Sequence, residues 1–180
     1  MRPRLGGAAL LLLAFVPGCR RGDVAEKSGP RLEVRWTGAD TAGFAAPATV
    51  EWCDSLNLLE IRAVAGDTGI ELALYRRGGI SPGSYPIRRP DTAATTQPAA
   101  AIGLRWFSET AVQGYQSSDG EVSVQRAPGG AVAGRFTAKA SAVGGSGRLE
   151  LAGSFEGVRV HPEASGCYAP PPRDTSAGVH

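Results

Sequence analysis

The stretch "RLEVRW", residues 31–36, alternates apolar and charged side chains without a break. Its apolar residues, at positions 32, 34 and 36, project to one face of an extended chain, because successive side chains of a strand point to opposite faces. The charged residues at 31, 33 and 35 project to the other face. The stretch therefore predicts a strand with one face in a core and the other in water.

The same two-residue period recurs in eight further segments. These are "ATVEWC" (48–53), "LEIRAV" (59–64), "IELALY" (70–75), "IGLRWF" (102–107), "EVSVQR" (121–126), "VAGRFTAKA" (132–140), "RLELAGSF" (148–155) and "GVRV" (157–160). Turn signals such as "AGDTG", "RRGGISPGS", "SSDG", "APGG" and "GGSG" separate them. The sequence predicts an all-β domain of about 8–10 short strands, either an antiparallel β-sandwich or a partly closed barrel.

This single β domain is expected to span residues 31–167, because the composition changes on either side. Residues 19–30 are small and polar without periodicity, which is typical of a flexible tether. Residues 168–180, "YAPPPRDTSAGVH", predict a disordered Pro-rich tail. The segment between them is long enough to bury a core of its own.

Residues 1–18 have the layout of a secretory signal peptide. Arg2 and Arg4 give a positive start, and residues 8–16 are an unbroken apolar run. This run is far shorter than the roughly 20 residues that a membrane-spanning helix requires. The segment is therefore expected to direct export rather than to anchor the chain.

The four residues "VPGC", 16–19, resemble the lipobox of bacterial lipoproteins, with an aliphatic residue three before the cysteine and a small residue directly before it. The resemblance implies that the signal is removed before Cys19 and that Cys19 carries the lipid that attaches the protein to a membrane. Arg20 follows instead of an aspartate, which in that family favours the outer membrane of the cell envelope. The alternative is an ordinary secreted protein in which Cys19 is available for a disulfide.

A second resemblance covers residues 120–160. The patterns G-x-V-x-V, V-x-G-x-F and G-x-F-x-x-V in this stretch are similar to the β-hairpin ending of a group of uncharacterised bacterial lipoprotein domains. The resemblance implies a β-rich architecture, and no activity comes with it.

With Cys19 used for lipid, Cys53 and Cys167 remain. Two cysteines in an oxidising envelope compartment allow one intramolecular disulfide. Closing so long a loop would stabilise the fold by roughly 4–5 kcal/mol in chain-entropy models. The alternative is a pair of unpaired buried thiols.

The charge balance argues against nucleic acid as a partner. The sequence has 19 basic and 17 acidic residues, and Arg2 and Arg4 leave with the signal. The mature chain is then formally neutral, whereas nucleic-acid binding requires a concentrated basic surface.

One local concentration of charge stands out, in "YRRGGISPGSYPIRR", residues 75–89. Arg76 and Arg77 lie at one end and Arg88 and Arg89 at the other, with no acid between them. If the glycine-rich middle folds back as a hairpin, four guanidinium groups converge on a site for an anionic glycan or lipid headgroup. The alternative is a solvated hairpin whose arginines pair with Glu71 and Asp91.

Catalytic and metal motifs are weak. "GISPG" (79–83) matches the G-x-S-x-G nucleophile elbow, but Pro82 lacks the backbone N–H that the residue after the serine donates to an oxyanion. The two histidines, His161 and His180, do not supply a zinc ligand set, and we expect neither a metal nor another cofactor. The strand glutamates at 51, 60, 71, 121 and 150 are interpreted as a solvated face.

Three classes of function follow from these patterns. The first is a lipid-anchored envelope lipoprotein with a non-catalytic structural or binding module. The second is a lipocalin-like carrier, whose open cavity would be lined by aromatic rings that in the first class fill the core: Trp36, Trp52, Trp106, Phe107, Phe136 and Phe155. An enzyme is the third, without a nucleophile and base to support it.

Overall fold

The computed structural model describes residues 29–107 and 110–160. The predicted signal segment 1–18, Cys19, most of the tether and the tail 168–180 lie outside the described residues, as does Cys167.

The described residues form nine strands, one short helix and two 3₁₀ turns. The strands are β1 (Arg31–Gly38), β2 (Ala42–Cys53), β3 (Leu58–Ala65), β4 (Thr68–Tyr75), β5 (Gly83–Pro86), β6 (Ala99–Phe107), β7 (Val112–Arg126), β8 (Val132–Ala142) and β9 (Arg148–Val158). The helix α1 (Pro90–Ala93) lies between β5 and β6, and the 3₁₀ turns cover Asp54–Leu56 and Pro128–Gly130. The prediction of an all-β, antiparallel fold is confirmed.

Eight of these strands close into a barrel. Neighbours follow the order β7, β6, β4, β3, β2, β1, β9 and β8, and β8 pairs again with β7. The extra strand, β5, pairs with the C-terminal half of β7, while β6 pairs with the N-terminal half. Of the two predicted architectures the barrel is correct, and its ring of strands is complete.

The alternating strand directions bring both ends of the described chain to one end of the barrel. Pro30 leads into β1 there, and Val160 follows β9 there. We call this the terminal end. The opposite end carries the turns that follow β1, β3, β6 and β8, and we call it the hairpin end.

Side chains at alternate strand positions fill the interior of the barrel. The largest fully buried ones are Tyr85, Phe155, Leu32, Leu59, Ile61, Leu72, Leu74, Ile87, Ile102, Leu104, Leu149 and Val34. Near the hairpin end the ring of Trp106 lies between those of Trp36 and Tyr115, with centroid distances of 5.9 and 5.1 Å. Burial of such large apolar surfaces is the main stabilising contribution to a fold of this kind.

Three local expectations were wrong. The predicted turn "SSDG" (117–120) lies inside β7, where the register shifts between Ser117 and Asp119 in a β-bulge. The two segments 148–155 and 157–160 belong largely to one strand, β9, which continues through Gly157 at φ 66°. Strand β5 has no counterpart among the predicted segments.

Ser117 fastens the extra strand to the barrel. It is the buried polar residue of the described core, at 1% exposure. Its hydroxyl accepts from the backbone N–H of Ile102 at 2.9 Å and donates to the carbonyl of Arg88 at 3.1 Å. One side chain therefore joins β7, β6 and the segment that follows β5.

Candidate functional site

The arginine segment 75–89 does not form the expected hairpin. Strand β4 pairs with β3 and β6, whereas β5 pairs with β7, so β6 separates the two arms. The two arginine pairs nevertheless lie close to the start of β6. Tyr75, next to Arg76, pairs with Ala99, and the backbone N–H of Arg88 donates to the carbonyl of Ala100 at 2.8 Å.

Arg76 is held against an aromatic ring at the terminal end. Its guanidinium carbon is 6.0 Å from the centroid of the Tyr85 ring, within the range of a cation–π contact. The Tyr85 hydroxyl donates to the carbonyl of Ser81 at 2.8 Å and accepts from the Ser81 N–H at 3.1 Å. Ser81 therefore fixes the loop through its backbone, and the loop leads into a strand rather than the helix of a nucleophile elbow.

The other three arginines of the segment are exposed. Arg89 lies 3.6 Å from Asp91, as the alternative interpretation of a solvated segment expects. The guanidinium of Arg88 donates to the carbonyl of Ile87 at 3.3 Å. The described contacts do not join the four guanidinium groups in one pocket, so anion binding by Arg76, Arg77, Arg88 and Arg89 stays a prediction.

A cluster of charged side chains crosses the outer face of β2, β3 and β4. Arg62 binds both carboxylate oxygens of Glu60 and lies 3.3 Å from Glu51. Glu71 stands opposite Arg62 on β4, next to the Glu60 carboxylate. Burial first, and then the charge and hydrogen bond of Glu60, raise the pKa of Glu71 to about 7.

These glutamates deviate in part from the predicted solvated face. The side chain of Glu60 is only 16% exposed, whereas Glu51, Glu121 and Glu150 are exposed as expected. Glu71 is exposed as a whole residue, but its carboxyl group is partly buried. A groove of about 370 Å³ runs beside Glu71 where Gly69 and Gly103 lack side chains. Two neighbouring carboxyl groups have the chemistry of an acid–base pair, but among the described residues no serine, threonine or cysteine lines this groove.

A second groove, of about 500 Å³, lies on the outer face of β7, β8, β9 and β1. A row of directly paired residues crosses it: Asp119, Lys139, Glu150 and Thr37. Because the charges alternate along this row, the groove does not present a field of one sign to a ligand.

The aromatic rings expected to line a carrier cavity lie mostly in the core. Trp36, Trp52, Phe136 and Phe155 are buried, and Trp106 packs against the core while partly exposed. Phe107 is 51% exposed on the outer surface. Of these six rings, only Trp36 belongs to a residue that borders one of the grooves described above.

Cys53 ends β2 at the terminal end, and its Sγ lies 3.5 Å from the hydroxyl oxygen of Ser55. Its predicted partner, Cys167, lies outside the described residues. The pairing stays a prediction.

Sequence reasoning missed three arginines that lie at the terminal end. Arg31 begins β1, Arg126 ends β7 and Arg159 directly follows β9. They are far apart in the chain and only the barrel brings them to one end. The signal available beforehand was the repeated occurrence of arginine at the boundaries of predicted strands.

Within residues 29–107 and 110–160, no three His, Cys, Asp or Glu side chains are grouped to hold a metal ion. In the same part of the chain, no helix has the length and apolar character needed to cross a bilayer. Comparison of the chain with protein-family models, with curated proteins and with solved structures found no match.

Proposed function

We propose that this chain is a lipoprotein of the bacterial cell envelope, attached to the outer membrane through lipid on Cys19. The support in the sequence is the export signal at residues 1–18 followed by "VPGC", the stretch that resembles a lipobox. Several acyl chains on one residue hold a protein stably on a bilayer, since each buried methylene contributes about 0.8 kcal/mol.

The observation that carries the proposal is the position of the terminal end. Pro30, where the tether would join the domain, leads into β1 at the end of the barrel that also bears Arg76, Arg77, Arg88 and Arg89. A tether from lipid to Pro30 would bring this end of the barrel towards the membrane. The arginines would then meet anionic lipid headgroups or glycans.

The barrel itself is proposed to be a non-catalytic structural or binding module. Its interior is packed with apolar side chains from all the strands, which supports a rigid body that presents its outer surface. A lipocalin-like carrier of a small apolar ligand needs an open interior. The burial of Trp36, Trp52, Phe136 and Phe155 argues against that alternative.

The experiment is to compare the full-length protein with the Cys19→Ser variant in a bacterial host. We expect the wild type to partition into detergent and to fractionate with the outer membrane, and Cys19→Ser to lose both properties. Cys53→Ser is the matched control, because it removes a cysteine outside the lipobox and should stay with the membrane. Equal partitioning of wild type and Cys19→Ser into the aqueous phase would contradict the proposal.

A further inference from the structure

The terminal end carries further arginines that do not belong to the segment 75–89. Seven arginines lie around this end, and within the described residues six carboxylates accompany them. The arginines are Arg31, Arg76, Arg77, Arg88, Arg89, Arg126 and Arg159. The carboxylates are Asp54, Asp91, Glu121, Glu156, and the two that bind Arg62, Glu51 and Glu60.

Strand pairing makes these positions neighbours. Arg126 pairs with Val132, which pairs on its other side with Val158, the residue before Arg159. The guanidinium of Arg76 lies 4.0 Å from the place that a Cβ on Gly83 would occupy. Gly83 pairs with Val124, two residues before Arg126. The arginines therefore follow the rim from β4 to β9 through β5, β7 and β8.

Most of these arginines make no ion pair. Among the described residues, Arg89 is the one member of the set with an ion pair, to Asp91 at 3.6 Å. Arg31 stands opposite Glu156 in the register of β1 and β9, yet the two do not come within ion-pair distance. Among the described residues, six guanidinium groups at one end thus make no ion pair.

The hairpin end lacks this concentration of arginines. Its described residues include Asp40 and Asp67 as acids and Arg105 and Arg148 as bases. On the walls between the two ends, acids and bases alternate, as in the row that contains Lys139 and Glu150. Most of the described arginines without an ion pair therefore lie at the end where the tether joins the barrel.

We infer that the terminal end is a docking surface for an anionic lipid bilayer, which holds the barrel upright with its hairpin end away from the membrane. This inference rests on the proposed attachment through Cys19 for its biological setting. The attraction of an arginine to a membrane rich in anionic lipid decays within a Debye length, about 8–10 Å at moderate salt. A flat, extended anionic surface matches a rim of guanidinium groups better than a small glycan does, because the rim spans several strands instead of enclosing a pocket.

The test uses the mature chain with Cys19→Ser, which carries no lipid, so that its result does not depend on acylation. Binding to vesicles of phosphatidylglycerol and phosphatidylethanolamine is measured by co-sedimentation at several salt concentrations, with phosphatidylcholine vesicles and a soluble anionic glycan alongside. The test variant changes Arg31, Arg126 and Arg159 to Gln. The matched control changes Arg35, Arg105 and Arg148 to Gln, which removes the same charge from the hairpin end and the wall beside it. Circular dichroism verifies that both variants fold.

We expect binding to the anionic vesicles that weakens with salt, a loss of roughly 10- to 100-fold in the test variant at low salt, and a much smaller loss in the control. Equal losses in the two variants would overturn the inference, as would absence of binding to anionic vesicles. Binding to the glycan alone would also overturn it and would identify a saccharide as the partner. Failure of the Cys19→Ser fractionation experiment would leave this result unchanged, so the two proposals fail separately.

Discussion

The ring of Phe136 on β8 lies over Gly153 on β9, so closely that a Cβ on this glycine would come within 2.3 Å of the ring Cζ. The two residues are direct partners in the strand register. The relationship is reciprocal, because Phe155 lies over Gly134 in the same way, with Cζ 2.5 Å from the corresponding position. The two G-x-F sequences on β8 and β9 are therefore complementary, and the rings cover backbone that glycine leaves bare.

The first prediction concerns Gly153. Alanine at this position meets the Phe136 ring and also the carbonyl oxygen of Glu33, which lies 2.3 Å from the new Cβ. We expect Gly153→Ala to lower the free energy of unfolding by about 1–3 kcal/mol, as overpacked cores do. Urea denaturation measures this change. Gly144→Ala is the control, because the position has open space around it, and a loss as large in the control as at Gly153 would contradict the account.

The second prediction concerns Ser117. Alanine would leave the buried N–H of Ile102 and the carbonyl of Arg88 without the serine hydroxyl. Leaving a buried polar group unsatisfied costs about 1–3 kcal/mol, which we expect as the loss in unfolding free energy for Ser117→Ala. Hydrogen exchange should show the effect first at Arg88 and Ile102. Ser118→Ala removes an exposed hydroxyl beside it, and equal effects of both variants would show that Ser117 has no special role.

Some of this architecture follows from the sequence, and the reasons for the rest are physical. Alternation marks strands because one face is buried, and it located β1, β3, β4 and β8 closely. The same alternation describes the strands of a sandwich and of a barrel, so closure through β7 and β8 had no local signal. The bulge at Ser117 looks like a turn because its residues also favour turns.

The site was less predictable than the fold. Arg76, Arg77, Arg88 and Arg89 stand out because they are near each other in the chain. Arg31, Arg126 and Arg159 join them only because strand directions in the closed barrel bring their positions to one end. The proximity of Glu60 and Glu71 likewise depends on the register of β3 and β4, which periodicity does not set.

The third prediction is a pH dependence from Glu71. Burial and the neighbouring Glu60 raise the pKa of Glu71 to about 7, above its ordinary value of 4.5. The folded protein then binds a proton that the unfolded chain releases, so stability should fall as pH rises from about 4.5 to 7 and change little from this group above that. Because the carboxyl is partly solvated, the effect should be limited to roughly 1 kcal/mol.

Thermal unfolding of wild type and Glu71→Gln across this pH range tests the prediction. Glutamine keeps the neutral form, so the variant should gain stability relative to wild type as the pH rises. Glu150→Gln is the control for the loss of one negative charge on the outer face. A difference in stability between the wild type and Glu71→Gln that stays constant with pH would refute the coupling between the two glutamates.

The fourth prediction is the bridge between Cys53 and Cys167. Cys53 lies at the terminal end, and Cys167 follows Val160, the last described residue at that same end. A peptide map without reductant should contain the linked peptides. Cys167→Ser should lower the unfolding free energy by roughly 4–5 kcal/mol under oxidising conditions and change little under reducing ones. Recovery of both cysteines as free thiols from the native protein would rule the bridge out.

Intact-mass analysis of the protein purified from its native envelope is the most direct test of the central claim, that lipid on residue 19 holds a strand-built body by its arginine-rich end. The account predicts a chain that begins at Cys19 and is heavier than its sequence by the mass of attached acyl groups. A chain that keeps residues 1–18, or one that begins near residue 19 with no added mass, would contradict it.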